Sequence, residues 1–124
     1  MIIRPASRKD CQAIYSLYQS EKWLSFTEEK VTSLFSTNLS HYLVLEEDQK
    51  ILGFARYLTD EVITTFLAEI IIDKSYRRKG LGQQLIEEIH KKYPLTRIEL
   101  ISEADGFYRS ISFKPVGTGF RKSE

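Results

Sequence analysis

The stretch Glu69-Ile70-Ile71-Ile72-Asp73-Lys74-Ser75-Tyr76-Arg77-Arg78-Lys79-Gly80-Leu81-Gly82-Gln83 decides the fold. It is an apolar strand, a basic loop, and two glycines that open a segment of helical spacing, with Leu81, Leu85, Ile86 and Ile89 on one face. The first N–H groups of a helix have no intrahelical partners. Gly80 and Gly82 lack Cβ atoms, so a ligand can approach the backbone. Amides and helix dipole together make an anion site, and Arg77, Arg78 and Lys79 add positive charge to it. A phosphate or pyrophosphate is the expected guest. The P-loop pattern needs Lys and then Ser or Thr after its last glycine, where Gln83 stands. The dinucleotide fingerprint needs a small residue where Leu85 stands. The glycines alone fit a plain loop at the start of a helix equally well.

Outward from this stretch, the helix runs over 80–92 and Pro94 ends it. Arg97-Ile98-Glu99-Leu100-Ile101 is then a strand reached by a helical crossover, hence parallel to the strand before the loop. On the N-terminal side, the periodicity predicts strands over 42–45, 51–58 and 62–72, joined by the polar turns 46–50 and 59–61 as an antiparallel meander. Gly53 marks a bulge or a close approach. Ile2-Ile3-Arg4 is a short first strand stopped by Pro5. Ser7 with Asp10 forms a capping box for a helix to about Ser20, with Cys11, Ile14, Tyr15 and Tyr18 at helical spacing. Thr27 caps a second helix that carries Val31, Leu34, Phe35 and Asn38 on one face and Glu28 and Glu29 in its first turn. A short helix over 103–110 and a strand over 116–121 close the chain. The expectation is an α+β fold, a mixed and mostly antiparallel sheet with helices on both faces.

Composition bounds the function. The 124 residues fit a single domain, residues 1–124, able to bury roughly 60–70% of its unfolded surface. Eighteen Lys and Arg against 17 Asp and Glu leave a net charge of +1, which gives no global field for nucleic acid or an anionic membrane. Cys11 is the only cysteine and His41 and His90 the only histidines, so neither a disulfide nor a metal site is expected. The opening residues lack a signal-peptide pattern and no apolar run reaches the roughly 20 residues of a membrane span. A cytoplasmic location is the expectation.

Arg77-Arg78-Lys79-Gly80-Leu81-Gly82 resembles the acetyl-CoA pyrophosphate loop of the GNAT superfamily of acyl-CoA-dependent N-acetyltransferases. Ile3-Arg4-Pro5-Ala6-Ser7 with Asp10 is similar to the opening of such domains. Ala104-Asp105-Gly106-Phe107-Tyr108 followed by Phe113-Lys114-Pro115 resembles their closing motif, and the element order matches as well. Two positions depart from the pattern: Ser112 stands for a glycine, and Ile101 for a frequent asparagine, with Ser102 the substitute for its polar contact.

The resemblance implies that the strands flanking the crossover helix splay apart and that pantetheine fills the gap. Ile70, Ile71 and Ile72 would bind its amides, and main-chain atoms of Arg77, Arg78, Lys79, Gly80, Leu81, Gly82 and Gln83 would hold the pyrophosphate. Tyr108 would protonate the departing thiolate. Glu69 interrupts an apolar strand, and partial burial would raise its pKa toward that of a general base, acting directly or through water. A solvent-facing or structural carboxylate is an equal reading. Trp23, Phe26 and Tyr57 are read first as packing aromatics, and through the resemblance as an acceptor pocket. The implied function is acetyl transfer from acetyl-CoA to a primary amine of a small molecule or peptide, without a metal, nucleic acid or membrane partner, and with a homodimer left open. A non-catalytic acyl-CoA-binding module is the alternative, and a binder of another phosphorylated ligand or RNA comes third.

Overall fold

Five strands pair in chain order, and the turn chemistry between them explains each step. The structure is a computed structural model that describes residues 1–123. β1 (Ile2–Pro5), β2 (His41–Glu47), β3 (Lys50–Thr59) and β4 (Thr64–Ile72) are successively antiparallel, and β5 (Arg97–Leu100) lies parallel to β4. Asp48 and Gln49 join β2 to β3 with φ of 51° and 65°, the left-handed pair whose twist suits a two-residue hairpin. Between β3 and β4, one Asp60 oxygen accepts from the backbone N–H groups of Val62, Ile63 and Thr64 at 2.9, 2.8 and 3.0 Å. Those donors are lost to a ladder, so β4 begins at Thr64 rather than at the expected Val62.

Helices cover both faces. α1 (Cys11–Ser20) follows a 3-10 turn, Arg8–Asp10, where the Ser7 N–H donates to the Asp10 carboxylate at 2.8 Å. α2 (Glu28–Leu34) starts at Thr27, whose hydroxyl accepts from the Lys30 N–H. Ile14, Leu17, Tyr18 and Val31 of these helices pack on Tyr42, Val44, Phe54 and Ile71. On the opposite face, Leu81, Leu85, Ile86 and Ile89 of α3 (Leu81–Lys92) pack on Leu43, Leu45, Leu52, Ala55, Tyr57 and Leu67. Each fully buried Phe or Leu in these layers contributes roughly 1.5–3 kcal/mol. Tyr57 belongs to this core, stacked with His41 and edge-on to Tyr93, which fulfils its packing reading.

The expected strand over 116–121 is absent. After α4 (Asp105–Ser110) the described chain carries no helix or strand. Gly119 passes Ile101 so closely that a Cβ there would lie 3.0 Å from its Cδ1, yet no ladder forms with β5. A strand draws its stability from cross-strand pairs and a covered face. Val116 and Phe120 are 76% and 91% exposed, so their alternation finds no such face, and Gly117 and Gly119 add entropy cost. Among the described residues, no helix is long and apolar enough to cross a membrane.

Candidate active site

The site originates in a β-bulge. Arg56 pairs with Glu69 and Tyr57 with Leu67, so Ala68 is an extra residue on β4. A bulge bends its strand and reverses the alternation of side chains beyond it. Leu67 faces the α3 layer before the bulge, whereas Ile70 and Ile72 face that layer after it, and Ile71 joins the α1–α2 layer. Glu69 is thereby turned toward α1. The ladder from β4 to β5 stops at the same place, at Leu67 and Leu100. From there the two strands part, and the outer edge of β4 over 68–72 has no ladder partner.

A cavity of about 1310 Å³ opens in this gap. Ala68, Glu69, Ile70, Ile71 and Ile72 line it, with Tyr76, Arg77, Arg78, Gly80, Leu81, Gly82 and Gln83 at the helix mouth. Gly80 has φ 77°, a conformation that strains any residue with a Cβ. The helical bonding begins with the Gln84 N–H donating to the Gly80 carbonyl, so the N–H groups of Leu81, Gly82 and Gln83 have no helical acceptor. A Cβ on Gly82 would come within 3.2 Å of the Phe107 ring, so only glycine leaves this wall uncrowded. Arg77 donates from Nε to the Ile72 carbonyl at 2.9 Å, and its Nη2 pairs with Glu21 at the end of α1. A second cavity, of about 850 Å³, lies beside Arg4, Asp10 and Glu46, whose charges are spent on one another. The first cavity is the one that holds the open helix mouth and the unpaired edge of β4.

A buried polar network borders the same cavity. Glu69 Oε1 accepts from Arg56 Nε at 2.6 Å and from the Tyr18 hydroxyl at 2.6 Å, while Oε2 accepts from Arg56 Nη2 at 2.7 Å. Tyr18 also shares a hydrogen bond with the Tyr42 hydroxyl at 2.9 Å, and Arg56 Nη1 donates to Ser40. Two acceptor positions per carboxylate oxygen leave one open on Oε2. Burial pushes the Tyr42 phenol up to about 12. Burial, and then the Glu69 charge, push Tyr18 well above the usual phenol range. Burial opposes the Arg56 charge, but the hydrogen bonds to Glu69 hold its pKa above the ordinary guanidinium value. On the far side, half-buried Tyr108 packs edge-on against Phe107 and Phe113, and burial raises its phenol. Its hydroxyl makes no hydrogen bond among the described residues.

The model of the acetyltransferase (GNAT) domain matches residues 38–115. The chain belongs to the GNAT acetyltransferase family. It is 27% identical over 96 residues to the histone acetyltransferase TAP1 of Glycine max, a match over 73% of this chain and 42% of that relative. It thus spans well under half the length of that curated relative. Among solved structures, a GNAT acetyltransferase of Streptococcus pneumoniae is 22% identical with a TM-score of 0.77, covering 99% of this chain and 98% of that one. An aminoglycoside N-acetyltransferase in complex with CoA is 13% identical with a TM-score of 0.80, over 99% of this chain and 93% of that one. These structural likenesses show the fold.

Within this GNAT chain, the cavity gathers Glu69, Ile70, Ile71, Ile72, Arg77, Arg78, Gly80, Leu81, Gly82, Gln83 and Tyr108. Two expected cofactor residues stay outside its lining. The Lys79 ammonium sits 5.3 Å over the Tyr76 ring, and the Ser102 hydroxyl accepts from the Ala104 N–H at the start of α4. Trp23 and Phe26 are half-buried and do line the cavity, unlike Tyr57. Arg56, which lines the cavity, and Tyr18 and Tyr42, which lie behind Glu69, were not singled out from the sequence as candidate site residues. Their partners lie 13 to 51 positions away, and no local motif links them. Among the described residues, no group of three His, Cys, Asp or Glu is gathered for a metal.

Proposed function

We propose that this chain transfers an acetyl group from acetyl-CoA to a primary amine. One observation carries the reading: a single cavity joins a helix mouth with three unpartnered N–H groups, an unpaired strand edge, and a polar centre at Glu69. The N–H groups of Leu81, Gly82 and Gln83, with Arg78 beside them, suit a pyrophosphate. The edge of β4 over 70–72, which has no ladder partner and where, among the described residues, only the Ile72 carbonyl is taken by Arg77, suits the amides of an extended pantetheine arm. Acetyl-CoA, when bound, supplies the thioester that the amine attacks.

The chain's own groups then handle protons. The open position on Glu69 Oε2 takes the proton of the attacking amine, directly or through a water. Tyr108 gives its proton to the departing thiolate. Its raised pKa keeps the phenol protonated beyond the usual range near 10, so the acid form persists at neutral and mildly alkaline pH. A non-catalytic acyl-CoA-binding module is the second reading, favoured by the three donors that already occupy Glu69.

The test combines binding and turnover. CoA, but not ATP, raises the melting temperature, and acetyl-CoA is consumed in the presence of an amine. Tyr108→Phe lowers kcat about 10²-fold and leaves the CoA-induced shift intact. An unchanged kcat in Tyr108→Phe removes the acid role. Binding of CoA without turnover of any amine selects the module.

A further inference from the structure

We propose that the acceptor is a monoamine with an aromatic or apolar body, and not a polycation; this rests on the acetyl-transfer reading above. The wall facing Glu69 comes from the connection between α1 and α2, where Trp23, Leu24 and Phe26 line the cavity together with Phe66 of β4. Phe26 stacks on Tyr18 with centroids 4.2 Å apart and rings 2° from parallel. Tyr18 in turn donates to Glu69, so the aromatic wall and the carboxylate are separated by one tyrosine side chain. An aryl or apolar group packed on that wall shares the cavity with the carboxylate.

The charges on this side are unsuited to a polycation. Both of its carboxylates are committed, Glu69 to Arg56 and Glu21 to Arg77. Lys22, exposed beside them, has no ion pair among the described residues. The remaining lining carboxylate, Glu103, belongs to the segment between β5 and α4, and Arg78 and Arg121 line the cavity as well. Five basic residues (Lys22, Arg56, Arg77, Arg78 and Arg121) thus face three acidic ones (Glu21, Glu69 and Glu103). On the side of Glu69 and Glu21, a second or third ammonium group would shed water beside carboxylates that are already paired, and would meet Lys22 as a like charge. An aryl ring loses nothing by leaving water and gains stacking with Trp23 and Phe26.

The experiment measures amine binding to the protein–CoA complex by calorimetry at about 0.15 M salt, so it does not depend on turnover. Tryptamine and 2-phenylethylamine are expected to bind at least about tenfold tighter than spermidine or kanamycin, a gap of the size that stacking confers. Trp23→Ala and Phe26→Ala are each expected to weaken tryptamine about tenfold while the Kd for CoA stays put. Lys22→Glu, at an exposed position, is expected to tighten spermidine more than tryptamine, in line with their charges. Equal or tighter binding of spermidine or kanamycin overturns the proposal, as does failure of the aryl amines to bind a protein that binds CoA. Failure to bind CoA overturns the acetyl-transfer reading instead.

Discussion

Asp10 and Glu69 are both carboxylates gripped by an arginine fork, and in each one oxygen takes two donors and the other takes one. Arg4 reaches Asp10 at 2.8 and 3.0 Å, and Arg56 reaches Glu69 at 2.6 and 2.7 Å. The third donor separates them. For Asp10 it is the backbone N–H of Ser7, three residues away, so the carboxylate closes a cap. For Glu69 it is the hydroxyl of Tyr18, 51 residues away and chained to Tyr42. The first arrangement is local and serves a helix start. The second is assembled from α1, β2, β3 and β4, and its Arg56 and Glu69 reach the edge of the larger cavity. The same ion-pair chemistry therefore closes a local cap at one place and, at the other, ties these elements together beside the cavity proposed as the active site.

The contrast can be broken most forcefully at Arg56. Arg56→Ala leaves the Glu69 charge buried without its partner and should cost about 3 kcal/mol of stability in urea unfolding; both side chains are largely covered, at 17% and 10% exposure. A loss below that of any surface pair would equate the centre with an ordinary ion pair. Next comes Glu69→Gln, expected to lower kcat about 10²-fold with CoA binding preserved. Asp10→Asn should leave kcat unmoved. Equal effects of the two substitutions on kcat would erase the distinction.

Asp10→Asn acts on stability instead, by about 1 kcal/mol near neutral pH, the size of a lost cap. Hydrogen bonds from Arg4, and less strongly from the Ser7 N–H, hold the Asp10 carboxyl below the usual carboxylate range against the effect of burial. Its stabilisation is full above the unfolded value of about 4 and disappears as pH falls through the lower native value. Unfolding curves recorded from about pH 2 to about pH 7 should thus show a shallower acid decline in the variant. The smallest effect belongs to Glu21→Gln, which breaks the pair with Arg77. That pair is more exposed, at 41% and 23%, and its loss should cost less than about 1 kcal/mol in the same assay.

Much of this architecture was legible residue by residue. The period of Ile14 and Tyr18, the cap at Thr27, the Leu81-to-Ile89 stripe and the Gly80–Gly82 mouth are local signals, and each corresponds to an element in place. The terminal strand over 116–121 was misread because alternation alone does not supply a partner. Lys79 and Ser102 lie outside the cavity lining, with the Lys79 ammonium over the Tyr76 ring and the Ser102 hydroxyl accepting from the Ala104 N–H. Glu69 was visible as an interruption, while its partners were not.

The sequence by itself determined the order of elements from β1 to α4, the crossover that makes β5 parallel, and the anion-suited helix mouth, because each is carried by local periodicity, capping and turn residues. Only the tertiary structure decided where β4 leaves β5 and which layer Glu69 faces. Both follow from the bulge at Ala68, a one-residue excess that exists only relative to the register of β3. Register is a relation between strands, and composition or periodicity within one strand does not contain it.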